Sequence, residues 1–337
     1  MTLLIADVGG TNVRFAVADE AHAPARDHQV LECARFAGIG VAVQTYLDQV
    51  DAPVDSMAIA LAGPVSDDEI DVTNNHWRFS KQQLLSELEI ERLLVVNDFA
   101  AQSLAQQEPE SNGNLLLYEG KSNPHAPLLV AGPGTGLGLS ALIQSGGVAI
   151  PIQGEGGHAS FAPQSGDEDA LLGFLRQRYE HVSIEHIVSG GGLENVYAFL
   201  CTHTDDESQL LSAAQIGAAA IAGEGIARDS VMLMLACLGG AVADATLTIG
   251  AWRGVVISGG IVPQLRTLVA QSSFAARFYQ KGQMQALLSQ VPVWLSVDPF
   301  AGLRGAQLAF SNPHMADAIT SDGTVRPNQL EPGREAS

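Results

Sequence analysis

Near the N-terminus the sequence runs Leu3-Leu4-Ile5-Ala6-Asp7-Val8-Gly9-Gly10-Thr11-Asn12-Val13-Arg14-Phe15-Ala16-Val17-Ala18. An apolar run, a glycine turn and a second β-rich run describe a hairpin. A backbone that wraps around phosphate oxygens needs positive φ, no Cβ in the way, and N–H groups to offer, which is what glycine supplies. Asp7 stands at the strand end beside this turn, where it can hold magnesium, directly or through water, or cap the turn by accepting from nearby N–H groups. The pattern returns at Leu128-Leu129-Val130-Ala131, Gly132-Pro133-Gly134-Thr135-Gly136 and Leu137-Gly138-Leu139-Ser140-Ala141-Leu142-Ile143. Two such hairpins, well over a hundred residues apart, suggest two related α/β halves. A third turn, Ser258-Gly259-Gly260, follows Gly254-Val255-Val256-Ile257 and leads toward a helix. No loop reads G-x-x-x-x-G-K-[ST], and no G-x-G-x-x-G opens a helix, which excludes a P-loop and argues against a nicotinamide enzyme.

Between the glycine turns lies Leu93-Leu94-Val95-Val96-Asn97-Asp98-Phe99-Ala100. A strand ends at Val96 and a helix starts soon after, the position where open α/β sheets bind ligands. Asp98 there is a candidate base for an attacking hydroxyl, or an N-cap. Asn97, with donor and acceptor atoms, suits a sugar hydroxyl. In Gln153-Gly154-Glu155-Gly156-Gly157-His158-Ala159 the glycines disfavour a helix, so Glu155 and His158 are not read as a helical metal pair. They are read as two hydrogen-bonding groups on a backbone shaped for one small polar ligand. Glu185, behind Ser183, reads by itself as a first-turn carboxylate favoured by the helix dipole.

The chain has 337 residues, 46% of them hydrophobic, enough for two cored domains. Asp and Glu outnumber Lys and Arg by 37 to 17, a formal charge of -20 that repels nucleic acid and anionic lipid. Free ATP would be repelled too, so a nucleotide is expected to arrive with its magnesium. Three cysteines without a C-x-x-C pair fit a reducing cytoplasm rather than a disulfide framework or structural zinc. The short apolar start, with no basic n-region, does not read as a signal peptide. Val231 to Ala243 is apolar but interrupted by Gly239 and Gly240, and reads as a buried helix. From about residue 313 the chain is polar and aperiodic, and a disordered tail is expected over 313–337.

Asp7-Val8-Gly9-Gly10-Thr11-Asn12, Asn97-Asp98-Phe99, Gly134-Thr135-Gly136-Leu137-Gly138, Gly154-Glu155-Gly156-Gly157-His158 and Ser258-Gly259-Gly260-Ile261-Val262-Pro263 occur in that order. In this the chain resembles the bacterial glucokinases of the hexokinase-like, actin-fold ATPase superfamily, from about residue 3 to 310. It lacks the cysteine-rich zinc motif of the related ROK group. The resemblance implies an α/β, two-domain actin-like (ribonuclease H-like) fold closing on a cleft. The small domain is expected over 1–107 plus about 300–312 and the large one over 108–299. It further implies a cytoplasmic homodimer that transfers phosphate from ATP, with Mg2+, to the 6-hydroxyl of D-glucose, the first step of glycolysis. A kinase for mannose, fructose or glucosamine is the nearest alternative, and a non-enzymatic sugar sensor a more distant one. By the same resemblance Ala6, Asp7, Val8, Gly9, Gly10 and Thr11, with Gly134, Thr135 and Gly136, bind the ATP phosphates, and Asp7 serves the magnesium. Gly259 and Gly260 lie against the adenosine, while Asn97, Glu155, His158 and Glu185 hold the sugar and Asp98 is the base. Two departures from the family pattern, Pro133 and the pair Gly191-Gly192, lie outside this set.

Overall fold

A computed structural model describes residues 2–20, 22–50, 52–203, 210–223 and 225–321. Along the chain come β1 (Leu3–Val8), β2 (Asn12–Ala18), β3 (Arg26–Glu32), α1 (Ile39–Val50), β4 (Ser56–Leu61), β5 (Glu69–Asp71), β6 (Arg78–Ser80), α2 (Lys81–Leu88), β7 (Arg92–Asn97) and α3 (Asp98–Ala105). There follow β8 (Leu115–Tyr118), β9 (Leu128–Pro133), β10 (Leu137–Ser145), β11 (Val148–Gly154), α4 (Gly166–Leu175), α5 (Gly190–His203), α6 (Ala213–Ala222) and α7 (Gly225–Ile249). The last elements are β12 (Gly254–Ile257), α8 (Arg266–Val269), α9 (Phe274–Tyr279), α10 (Gln285–Leu288), β13 (Val293–Leu295), α11 (Ala301–Phe310) and β14 (Ile319–Ser321). The chain divides into two compact units, Met1–Ala101 with Gly302–Ser337, and Gln102–Ala301.

The first unit is built on a six-stranded sheet of order β14-β7-β4-β1-β2-β3. β1, β4 and β7 run parallel, and β1, β2 and β3 form an antiparallel meander. Every residue of β1 and β4 is buried, as the centre of a sheet covered on both faces requires, whereas β3 shows charged Arg26 and Asp27 to solvent at the edge. The core gathers Val13, Phe15, Ile39, Tyr46, Ile59, Trp77 and Leu84 among others. α2 starts because the Ser80 hydroxyl accepts from Gln83 N–H, and it stops at Glu89, whose φ of 52° is left-handed.

Composition misled at the C-terminal end. Residues 313–321, expected in a disordered tail, form a 3-10 turn over Pro313–Ala318 and then β14, which pairs antiparallel with β7. Asn312 caps the turn through His314 N–H and Met315 is buried, so an aperiodic sequence gains order from a cap and a sheet edge. Residues 322–337 of the expected tail lie outside the described residues.

The second unit repeats the same plan. Its sheet runs β11-β10-β9-β12-β13-β8, with β9, β12 and β13 parallel, β9, β10 and β11 an antiparallel meander, and one antiparallel edge strand. Its core takes Leu129, Val196, Met234, Val255 and Phe274 among many others. α7 is long and apolar enough to cross a membrane by length and composition, but 56% of its apolar window is buried inside the protein, the mark of a core helix. α4 begins with the Ser165 hydroxyl accepting from Glu168 N–H. The Glu168 carboxylate, itself buried, takes both terminal nitrogens of Arg277 on α9 at 2.5 and 2.9 Å. The three cysteines are buried free thiols.

Candidate active site

In the first unit the β1–β2 hairpin places its turn as read from the sequence. Val8 pairs with Val13, enclosing the four residues Gly9, Gly10, Thr11 and Asn12, the last of which already belongs to β2. That turn is fastened from several sides. Gly9 N–H donates to Asn12 O at 2.9 Å, the Asn75 side-chain amide donates to Gly9 O at 3.0 Å, and Cys33 N–H donates to Thr11 O at 2.9 Å. Asn75 was not singled out in the sequence, since it lies 66 residues away and carries no local signal.

Asp7 is 9% exposed and lies opposite Arg14 in the hairpin register, 3.3 Å from its guanidinium. Burial pushes its carboxyl above the usual carboxylate range, and Arg14 offsets only part of this. A buried oxygen ligand left with surplus cost when charged fits a second cation. Among the described residues no group of three or more His, Cys, Asp or Glu could hold a metal. The fit to magnesium rests on the Asp7 carboxylate alone, since that ion keeps several waters and needs only one or two carboxylates besides substrate phosphates. Arg14 was legible in principle: a four-residue turn closing on Val8 and Val13 puts position 14 opposite position 7.

At the end of β7 the helix cap, which the sequence left open for Asp98 beside the role of base, falls to its neighbour. Asn97, not Asp98, is the N-cap of α3: its Oδ1 accepts from Phe99 N–H at 3.0 Å and Ala100 N–H at 3.1 Å. The amide is thereby oriented with Nδ2 as its donor end. Asp98 is the first helical residue, and its Oδ1 accepts from Phe99 N–H at 2.9 Å. Both side chains are half-buried.

In the second unit Pro133 of β9 pairs with Leu137 of β10, enclosing the three residues Gly134, Thr135 and Gly136. Gly134 N–H donates to Gly136 O at 2.7 Å, and Gly190 N–H at the start of α5 donates to Gly134 O at 2.9 Å. Gly259, at φ 82°, presses on this turn so closely that a Cβ there would overlap Pro133 O, which explains why no other residue fits. Ser258 is buried and donates from its hydroxyl to Gln102 at 3.0 Å.

Glu155 caps and His158 ends a single 3-10 turn, Gly156–His158, and both are exposed. Ile184 N–H donates to Ala159 O at 2.9 Å, and Ser160 bridges Ser183, which ties this turn to another 3-10 turn, Ile184–His186. Glu185 sits in that turn behind Ser183, where the sequence placed it, but its Oε2 accepts from Leu137 N–H at 2.8 Å rather than serving the turn's own N–H groups. His186 Nδ1 accepts from Ser183 N–H at 3.1 Å and its ring stacks on Tyr179, while burial pushes its pKa below the usual imidazole range. The second unit thus brings Gly134–Gly136, Gly259, Glu155, His158 and Glu185 onto connected backbone.

The family sequence model described as Glucokinase matches residues 4–313. The chain belongs to the glucokinase family. A glucokinase of Chromohalobacter salexigens is 38% identical over 310 residues, 92% of this chain and 97% of that one. The crystal structure of a glucokinase from an Antarctic psychrotroph superposes with a TM-score of 0.79 at 32% identity, covering 92% of this chain and 98% of that one. At 20% identity, a ROK family glucokinase from Streptomyces griseus in complex with glucose and AMPPNP shares the fold, with a TM-score of 0.65 and coverage of 91% and 98%. This family member is a sugar kinase with an α/β fold in two units.

Proposed function

We propose that the chain transfers the γ-phosphoryl group of ATP to the 6-hydroxyl of D-glucose, with Asp98 as the base. The junction of β7 and α3 carries this reading: Asn97 caps the helix and thereby fixes the backbone from which the Asp98 carboxylate projects. Phosphoryl transfer to an alcohol needs little covalent help from the protein beyond a positioned acceptor for the hydroxyl proton and donors for the phosphate charge. Asp98 takes that proton as the sugar oxygen closes on phosphorus. Asn97 donates from Nδ2 to the sugar, and Glu155, His158 and Glu185 hold its other hydroxyls. Gly9 and Gly134, whose N–H groups close their own turns, shape the loops that leave the N–H groups of Gly10 and Thr11 and of Thr135 and Gly136 to receive the phosphates, and Gly259 and Gly260 bound the adenosine side. Asp7 would hold Mg2+, directly or through water, and the ion would supply neutralisation of the charge that develops on the phosphates.

Several features support the finer assignments. The repeated six-stranded plan supports an actin-like, ribonuclease H-like fold for both units. The buried free thiols support a cytoplasmic setting. The homodimer implied by the resemblance belongs to this proposal; light scattering should give twice the chain mass, and a monomer would contradict it. Coupled ADP release with purified chain and Mg-ATP tests the reaction, glucose giving strong turnover. Preference for mannose, fructose or glucosamine would keep the mechanism and change the substrate, whereas sugar-independent release would reject the assignment.

A further inference from the structure

The Glu185 carboxylate sits at the exit of the second glycine turn. Its Oε2 accepts the N–H of Leu137, the residue directly after Gly136. A Cβ at Gly136 would meet that carboxylate, so the acid lies directly against the turn. On its other side the Leu137 carbonyl meets Gly157, where a Cβ would overlap it, next to His158. One peptide segment of a turn suited to anions is therefore wedged between the loops that carry Glu185 and His158. The wedge is stiff, because those loops are bonded to each other through Ile184 and Ala159. The arrangement contains a conflict of charge. A carboxylate on an N–H at the edge of a phosphate turn occupies a donor and presents negative charge where a polyphosphate would bind.

We infer that Glu185 is a sugar-released gate on the phosphate turn. Without sugar its carboxylate holds Leu137 N–H and weakens nucleotide binding; a sugar hydroxyl that takes the carboxylate as acceptor draws it off the turn. Sugar then tightens Mg-ATP, and hydrolysis of ATP in the absence of sugar is suppressed. This rests on the sugar-kinase reading and on a sugar contact for Glu185. Reciprocity requires nucleotide to tighten sugar by the same factor.

The test is calorimetric titration of the full chain with Mg-AMPPNP, with and without saturating glucose, for the native protein, Glu185→Gln and Glu185→Ala. Glutamine keeps the shape and an acceptor for Leu137 N–H but removes the charge. In the native protein glucose should tighten Mg-AMPPNP roughly 5-fold or more, within the usual range of coupling between sites. Both variants should bind it more tightly than the native protein when sugar is absent, and glucose should add less than about 2-fold. Sugar-free binding in Glu185→Gln that is no tighter than native would overturn the gate and leave Glu185 a brace or a sugar ligand alone. So would a native protein that phosphorylates glucose yet shows no effect of glucose on Mg-AMPPNP affinity. Failure of the native protein to release ADP in response to any sugar would instead reject the underlying function, so the two failures are distinguishable.

Discussion

At the scale of single residues, Asn97 and Asp98 show how capping and chemistry divide between neighbours. Either residue type can cap a helix, and sequence offers no way to choose; the backbone at the end of β7 settles it for Asn97. Asp98→Ala should therefore leave α3 intact while lowering kcat roughly 10²-fold or more, about 2.7 kcal/mol of transition-state stabilisation. Near-native turnover in a folded variant would remove Asp98 from the base role. Asp7 makes a different prediction. A carboxyl whose pKa is raised on folding binds more protons in the native than in the unfolded chain, so stability falls as pH rises from its ordinary range through the raised value. Asp7→Asn should remove that fall, making the ligand-free protein more stable than native at pH 7, while raising the KM for Mg-ATP. Urea unfolding across pH and steady-state kinetics check the two halves; a variant less stable than native at pH 7 contradicts the first. Asp7 was legible as a candidate because it ends an apolar run beside glycines. Its pairing with Arg14 depended on hairpin register, and the tether from Asn75 on tertiary structure alone.

At the scale of elements, the hairpins were the most legible features, because a short apolar run, a glycine turn and a second largely apolar run define both strands locally. The loops around Glu155 and Glu185 were less so. Their 3-10 turns are held by Ser160 with Ser183 and by Ile184 with Ala159, pairings between segments some twenty-five residues apart that leave no periodicity. The dipole role read for Glu185 failed as the whole account for the same reason: its acceptor oxygen serves Leu137, 48 residues away. The Ile184–His186 turn also depends on a neutral His186, whose Nδ1 must accept from Ser183. Because burial lowers that pKa, the unfolded chain takes up the proton first as pH drops, and the contribution is lost below the ordinary imidazole range, roughly 6.5. Glu185, His181 and His158 are the titratable groups that act on it. Unfolding free energy measured from pH 7.5 to 5.5 should fall toward acid, and His186→Gln should flatten that fall; an unchanged slope contradicts the assignment. The buried Glu168–Arg277 pair between α4 and α9 gives a sharper number. Arg277→Met strands Glu168, 1% exposed, and should cost about 3–5 kcal/mol in urea unfolding. A loss below about 1 kcal/mol would show that the pair is solvated.

At the scale of the whole molecule, the two sheets share one plan: β3-β2-β1-β4-β7-β14 in one unit is matched by β11-β10-β9-β12-β13-β8 in the other. Two glycine hairpins hinted at related halves, but the edge strands β8 and β14 were not seen. Both are short, and β14 lies where composition suggested no order. The chain path is a further case: the first unit is interrupted after Ala101 and resumes at Gly302, which burial patterns along a single sequence do not encode. The acidic charge of -20 bears on partners rather than on fold. What the whole molecule does is tested most directly by ADP release from Mg-ATP with purified chain against glucose, mannose, fructose, glucosamine and no sugar. Turnover should require sugar and be strongest with glucose; ADP release that is absent, or equal with and without sugar, would reject the sugar-kinase assignment.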